Sequence, residues 1–278
     1  MSNNINFEQD DKISVIMGIF NCADTLSAAI DSILSQTYSN WELIMCDDAS
    51  TDYTYNIAKT YQEKYPDKII LVRNDVNSKL AFSLNHCLKY ATGKYIARMD
   101  GDDMSAPERF EKQLMFLKSH TDVDLVGTAM QRFDGDKFVD VVKSFENPDK
   151  YTLRKHVPFH HATIMTYKYV YDALDGYTVS GRTVRAQDYD LWFRFYHAGF
   201  TGNNLPETLY FVRENLSAIK RRTFKHRWNS FKTTKYGFKL LNYPKWWILR
   251  EFFMTLFKSL TPFWAVKIYR KFQSILNK

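Results

Sequence analysis

Asp100, Asp102 and Asp103 stand together in Met99-Asp-Gly-Asp-Asp-Met104, directly after the apolar run Tyr95-Ile-Ala-Arg-Met99. Two carboxylates separated by one residue can divide the work of holding a nucleotide. One accepts from a ribose hydroxyl, and the next binds a hard cation that also bridges the diphosphate oxygens. The cation then neutralises charge gathering on a departing diphosphate, where electrostatic stabilisation contributes most. A short acidic motif alone reads equally as a solvated loop or a helix cap ahead of Pro107. The preceding apolar run separates the two readings, because a buried strand would fix these carboxylates at the rim of a sheet. Asp48 follows a second apolar run, Trp41 to Cys46, and Asp188 and Asp190 open a helical pattern, where acids are favourable N-terminal charges.

The elements that must carry these acids follow from periodicity. Ile13 to Ile19 is a short β-branched apolar run, followed by turn and capping residues at Asn21 to Asp24 and a helical pattern through Gln36. Trp41 to Cys46 predicts a second strand, with Ser50 or Thr51 capping a helix to about Tyr65. Lys68 to Arg73, Phe82 to Tyr90 and Lys94 to Met99 predict a third strand, a helix and a fourth strand. The alternation predicts an α/β fold, a Rossmann-like, mostly parallel central sheet flanked by helices. Ligands in such sheets bind beyond the carboxyl ends of the strands, where Phe20, Asp48 and Asp100 all fall. A helix to about Ser119 and a strand at Val123 to Gly127 follow. Shorter strands are expected around Gln131 to Phe133, Phe138 to Val142 and Ala162 to Thr166, then a helix from Asp188 to Ala198.

With 45% hydrophobic and 25% charged residues, the 278 residues can bury a full core, which excludes a largely disordered chain. Cys22, Cys46 and Cys87 form no CxxC pair and read as free thiols of a reducing compartment. The polar, acidic start MSNNINFEQDD is unlike a secretory signal. Charge is divided: residues 220–278 hold 15 Lys and Arg against the single acid Glu251, leaving 23 bases and 30 acids in residues 1–219. An acidic body with a basic tail points the tail at an anionic surface.

Several segments, in this order, resemble the inverting glycosyltransferases of family 2, of the bacterial cell-surface glycan type, which have the GT-A fold. They are ISVIMGIFN, SILSQTYSNWELIMCDDASTD, SLNHCLKYATGKYIARMDGDDMSAPERF, HHATIM and QDYDLWFRF, spanning about residues 12 to 217. The resemblance implies transfer of a sugar from a nucleotide-diphosphate donor, UDP favoured, to a glycan or lipid-linked acceptor, with Mn²⁺ or Mg²⁺ as cofactor. It makes Phe20 the ring near the donor base, Asp48 the acceptor of a uracil hydrogen bond, Asp100 the ribose-side carboxylate and Asp102 the metal ligand, with Gly101 between them in the donor-binding turn. Asp103 either supports them or caps a helix. Arg98 either lies against the base or diphosphate or forms a strand-end salt bridge. Asp188 matches the catalytic base, and Asp190 is structural. His161 is a phosphate or acceptor contact, or an ordinary core histidine. Gln187 replaces the family's Glu, Lys79 stands where many relatives have Gly, and no His occurs near Arg213 to Ser217, where some relatives bind metal.

The domain expectation is a catalytic body over residues 1–219 and a basic, aromatic helical extension over 220–278. In Trp246 to Leu260, Glu251, Thr255 and Lys258 recur at helical spacing among aromatic and aliphatic residues, and the pattern resumes from Phe263 after Pro262. Charges within it make a poor membrane span and a good interfacial helix, so the protein is expected on the cytoplasmic, inner face of the cell membrane. The alternative is a helical pair packed on the body. Phe224-Lys-His-Arg-Trp228 lacks the Gln of the processive synthases, so addition of one sugar is expected. Two other classes compete. A sugar nucleotidyltransferase would need a Gly-rich basic loop after the first strand, which Gly18-Ile-Phe-Asn-Cys-Ala is not. Nucleic-acid binding by the tail leaves the ordered motifs of the body unexplained, so no nucleic acid is expected as a partner.

Overall fold

The computed structural model describes residues 7–135, 137–214 and 224–260. The first half alternates as the periodicity predicts: β1 (Ile13–Ile19), α1 (Ala23–Leu34), β2 (Trp41–Asp47), α2 (Thr54–Lys64), β3 (Ile69–Arg73), α3 (Leu80–Leu88) and β4 (Tyr95–Arg98). β1 lies between β2 and β4, parallel to both, and β3 extends the sheet parallel to β2. These strands are covered on both faces, which is why they read as near-continuous apolar runs. Ile13, Val15, Met17 and Ile19 face a core shared with α1, while Ile16 faces a second core shared with α3.

The chain continues through β5 (Met104–Ser105), α4 (Arg109–Ser119), β6 (Leu125–Asp134), β7 (Lys137–Val142), β8 (Met165–Tyr167), α5 (Lys168–Ala173), α6 (Gln187–His197) and β9 (Gly202–Arg213). β8 joins β4 to β6, antiparallel to each. β9 runs parallel to β6 and antiparallel to β5, giving one sheet in the order β3-β2-β1-β4-β8-β6-β9-β5, with β7 on β6.

Three local expectations change. The segments read as separate strands near 123–127 and 131–133 are one strand, β6. β9 carries no clean alternation in the sequence because Pro206 and Glu207 are bulged out, between the pairs Thr128 with Leu205 and Ala129 with Thr208. Ser50 and Thr51 do not cap α2. They cross to Asn21, Ser50 Oγ accepting from its N–H at 3.1 Å and the Thr51 N–H donating to its Oδ1 at 2.9 Å. Asp52 accepts from the Thr54 N–H at 3.0 Å instead. Thr54 Oγ1 and Asp52 also accept from the Cys22 and Ala23 amides, so the start of α2 satisfies free donors at the start of α1.

After residue 223 come α7 (Phe224–Leu240) and α8 (Lys245–Leu260). They pack on the body through an aromatic chain: Phe193 of α6 meets Phe238 edge-on at 5.9 Å, Phe238 meets Trp247 at 6.1 Å, and Phe231 meets Phe252 at 5.7 Å. Trp247 is therefore buried, while Trp246, Leu249, Phe253 and Phe257 are more than half exposed along the opposite side of α8. Glu251 and Thr255, expected on a solvated polar face, are half-buried instead. The aromatic packing sets the rotation of the helix and turns those two residues away from open solvent. The repeat from Phe263 onward lies outside the described residues.

Gly237 allows the contact of α7 with α6, because a Cβ there would lie 2.1 Å from the Phe193 ring. Gly237→Ala should destabilise the protein by about 1–3 kcal/mol, the usual cost of overpacking. An unchanged midpoint of urea unfolding would show that α7 does not sit on α6 as described.

Candidate active site

The parallel strands align their carboxyl ends, with Ile19 of β1 opposite Asp47 of β2 and Ile16 of β1 opposite Arg98 of β4. Strand order reverses around β1, the switch point at which such sheets open a crevice. Phe20, Asp48 and Asp100 therefore reach one edge. Phe20 is 46% exposed, an uncovered ring beside buried acids. Asp48 is buried, and its carboxylate accepts from Asn74 Nδ2 and the Ser78 N–H, each at 2.8 Å, and from the Lys79 N–H at 2.9 Å. It thus organises the loop from 74 to 79. That loop ends with Lys79 at φ 74°, ψ 162°, a conformation that favours glycine.

Arg98 and Asp100 form a two-pronged ion pair, both guanidinium NH groups donating to the two carboxylate oxygens. The Arg98 side chain is almost wholly buried and its Nε has no protein partner. Burial works against its charge, but Asp100 outweighs it and holds the guanidinium above its ordinary pKa. The salt-bridge alternative for Arg98 is thereby realised, with Asp100. Gly101 is buried with its Cα turned inward: a Cβ would lie 3.0 Å from Ile19 and 3.1 Å from Cys22. Its carbonyl accepts from Thr25 Oγ1 at 3.0 Å, which seats the acidic turn on the start of α1.

Asp100, Asp102 and Asp103 each offer one carboxylate oxygen, all within 4.8 Å of one another. Burial and then Asp100 push Asp102 up from the ordinary carboxylate pKa, with Arg98 and Arg213 pulling it back. Burial, Asp100 and Asp102 push Asp103 well above it. Crowded, partly desolvated carboxylates gain most from an added cation, and this all-oxygen set fits a hard divalent ion. Asp103 caps no helix. It accepts from Tyr210 Oη at 3.0 Å and from the Arg213 N–H at 2.8 Å. Tyr210 Oη also accepts from the Asp100 N–H at 3.2 Å, and Arg213 Nε donates to the Asp102 carbonyl at 3.2 Å. β9 is therefore the brace of the acidic turn. Sequence reading missed Tyr210 and Arg213 because the bulge at Pro206 hides the strand; the triplet Leu209-Tyr-Phe211 was its one signal.

Asp188 occupies the second helical position of α6, where its own N–H and that of Tyr189 stabilise the carboxylate. Burial nevertheless raises its pKa above the ordinary value, with Arg98 acting in the opposite direction. Asp190, fully buried, is held by Arg182 and by Arg194 Nε at 2.9 Å, which makes it structural as expected. His161 Nε2 lies 2.7 Å from Tyr177 Oη, and its ring meets Trp192 edge-on at 6.0 Å. Burial and Arg98 lower its pKa well below the ordinary value, so the imidazole is neutral. Arg98 thus acts electrostatically on Asp102, Asp188 and His161 at once. In the segment where some relatives carry a metal-binding His, Asn215 to Ser217 lie outside the described residues.

A parallel sheet with a switch point, an acidic turn beyond it and a separate helix-borne carboxylate is the arrangement of a GT-A sugar-transferring enzyme. Residues 14–171 match glycosyl transferase family 2. EpsE of Bacillus subtilis (strain 168), which carries a glycosyltransferase name, is 53% identical over 215 residues, 77% of each chain. WfaP of Escherichia coli, a UDP-Glc:alpha-D-GlcNAc-diphosphoundecaprenol beta-1,3-glucosyltransferase, is 27% identical over 77% of this chain and 81% of its own. Among solved structures, S. aureus TarS 1-349 in complex with UDP-GlcNAc aligns with a TM-score of 0.64 at 18% identity, over 80% of this chain and 65% of that one. The chain spans just under two thirds of that TarS chain, and the likeness establishes the fold. The chain belongs to glycosyl transferase family 2, and it is a glycosyltransferase. Membership decides between the two enzyme classes in favour of sugar transfer.

Lys79 supplies a test of the donor-side loop. Replacing a side chain at this φ by Gly relieves about 1–3 kcal/mol of backbone strain against about 0.5–1 kcal/mol of added chain entropy. Lys79→Gly should therefore raise stability by roughly 1 kcal/mol. A lower unfolding midpoint would show that the Lys79 side chain does more than tolerate its backbone.

Proposed function

We propose that the chain transfers a single sugar, with inversion, from a UDP-sugar to a hydroxyl of a lipid-diphosphate-linked glycan, in surface polysaccharide synthesis at the cytoplasmic face of the membrane. One observation carries the reading: the buried guanidinium of Arg98 is paired with Asp100, and its charge also acts on Asp102 of the acidic turn and on Asp188 of α6. The name of WfaP supports a UDP-sugar donor and a lipid-diphosphate-linked acceptor, and the UDP-GlcNAc bound by TarS supports the donor.

Phe20 stacks against the donor base, and Asp48, already rigid, accepts from the uracil N–H. Asp100 takes the ribose side, Gly101 lets the turn sit low against β1, and Asp102 binds Mn²⁺ or Mg²⁺. The bound cation supplies positive charge beside the diphosphate oxygens. Asp188 removes the acceptor hydroxyl proton as that oxygen attacks the anomeric carbon opposite the diphosphate. One base and one in-line displacement invert the configuration, without the nucleophilic carboxylate that double displacement requires. Burial suits Asp188 to this task, because a raised pKa makes a carboxylate a stronger base. His161 contacts the donor or the acceptor.

Residues 220–278 form the membrane-attaching extension in this reading. No described helix is long and apolar enough to cross a membrane. The exposed row Trp246, Leu249, Phe253 and Phe257, with Arg250 exposed beside it, instead suits a helix lying in the interface of an anionic leaflet.

The overall test is a screen of UDP-glucose and UDP-GlcNAc with and without Mn²⁺ or Mg²⁺, followed by a lipid-diphosphate-GlcNAc acceptor. Absence of transfer from every nucleotide sugar would overturn the proposal. Asp188→Asn should keep donor binding and slow transfer by roughly 10²–10⁴ fold. In the wild type, kcat/KM should fall as pH drops through the pKa of Asp188, which burial raises from its ordinary value, since only the ionised base accepts a proton. A near-normal rate in the variant would remove Asp188 as the base. Trp246→Glu combined with Phe253→Glu should cut co-sedimentation with anionic vesicles at least tenfold, given about 1.5–3 kcal/mol for each apolar side chain fully buried in lipid. Undiminished sedimentation would remove the α8 row from the attachment surface.

A further inference from the structure

Behind the site, three ring side chains form a short polar chain that the proposed chemistry has not used. Tyr171 Oη lies 2.7 Å from Tyr177 Oη, which lies 2.7 Å from His161 Nε2. Both tyrosines are buried. Tyr177 is fixed at its backbone as well, since Asn85 of α3 clamps it from both directions. Asn85 Nδ2 donates to the Tyr177 carbonyl, and the Tyr177 N–H donates to Asn85 Oδ1, each at 2.8 Å. Gly176, at φ 63°, allows this approach, because a Cβ there would lie 2.5 Å from Asn85 Oδ1. A loop residue held at four points presents its hydroxyl at one position only.

The direction of the chain follows from the groups in it. A phenol donates more readily than it accepts, and an unprotonated imidazole nitrogen is a good acceptor. The consistent arrangement is Tyr171 O–H to Tyr177 oxygen, then Tyr177 O–H to His161 Nε2, each bond polarising the next. His161 then carries its proton on Nδ1, and among the described residues Nδ1 has no protein partner and is not a closed-off atom. The positive charge of Arg98 and the burial of the ring keep the imidazole neutral. With the Arg98 charge already paired to Asp100, a neutral N–H suits an uncharged oxygen better than a phosphate, which would favour an unpaired cation.

We propose that Tyr177 is a positioning residue that holds His161 as its Nδ1–H tautomer, so that His161 gives one neutral hydrogen bond to a hydroxyl of a sugar substrate. This rests on the sugar-transfer reading above and deepens it by assigning one recognition contact. The hydroxyl belongs either to the transferred sugar or to the acceptor sugar, and kinetics separate the two.

The test is long-range ¹H–¹⁵N correlation of His161 in the full chain, paired with kinetics on UDP-glucose and UDP-GlcNAc. Wild type should show the proton on Nδ1, and Tyr177→Phe should abolish that preference while leaving the ring in place. KM should rise for one substrate by between about twofold, if half the rings keep the Nδ1–H form, and tenfold, if the hydrogen bond is lost outright, with kcat changed less. A rise in donor KM places the hydroxyl on the transferred sugar; a rise in acceptor KM places it on the acceptor. Tyr171→Phe, further from the site, should shift both readouts in the same direction by less, and it serves if Tyr177→Phe fails to fold. A wild-type proton on Nε2, or unchanged KM values despite a changed tautomer, would overturn the proposal. Failure of wild type to use any nucleotide sugar would instead count against the functional reading, and the tautomer measurement still decides the polarity of the chain.

Discussion

The ion pair of Arg98 with Asp100 organises the site: a guanidinium buried in a sheet strand is met by both oxygens of one carboxylate. Desolvating such an ion costs several kcal/mol, and removal of its partner would leave that cost uncompensated. The burial of β4 therefore requires Asp100 to stand where it does, and the acidic turn follows from that position. The same charge reaches Asp102, Asp188 and His161. One buried cation thus ties the acidic turn to a carboxylate on a helix about ninety positions later in the sequence.

Around that pair, the surroundings limit how far the turn can move. Gly101 presses the turn against β1 and α1, while Tyr210 and Arg213 hold its other side from β9. Asp103 spends both carboxylate oxygens on this brace, which leaves Asp102 the freer ligand. Lys79, Asn21 and Ala49, three of the five non-glycine residues with positive φ among the described residues, lie in loops at the carboxyl edge, while Asp175 and Asn242 follow helices. Backbone strain of this kind persists where a site must be preorganised and the neighbouring structure over-determines it.

The helices after residue 223 extend this logic to the back of α6. Phe193, Phe238 and Trp247 place α7 and α8 in the same core as the helix that carries Asp188. The pKa of Tyr189, next to Asp188, is pushed up to about 12 by burial, by Asp188 and by Glu251 of α8. The extension is therefore coupled to the active-site helix on one face and presents aromatic side chains on the other. Of the two sequence readings of the tail, packing on the body describes one face of α8; the other face leaves Trp246, Leu249, Phe253 and Phe257 exposed.

Local pattern alone determined the parallel half of the sheet, since strands buried on both faces must be apolar throughout and helices must repeat every three to four residues. It also placed Phe20, Asp48 and Asp100 at one edge, because parallel strands in register deliver their ends together. The family resemblance supplied Asp188 as a candidate. Only the tertiary structure decided that Asp103 is a brace rather than a cap, that Gly101 faces inward, and that β9 exists across the bulge at Pro206. It alone joined Asn85, Tyr171, Tyr177 and His161, which come from four separate segments. Contacts between residues far apart in the chain leave no periodic trace in sequence, because each depends on how elements pack and not on the propensity of any one of them.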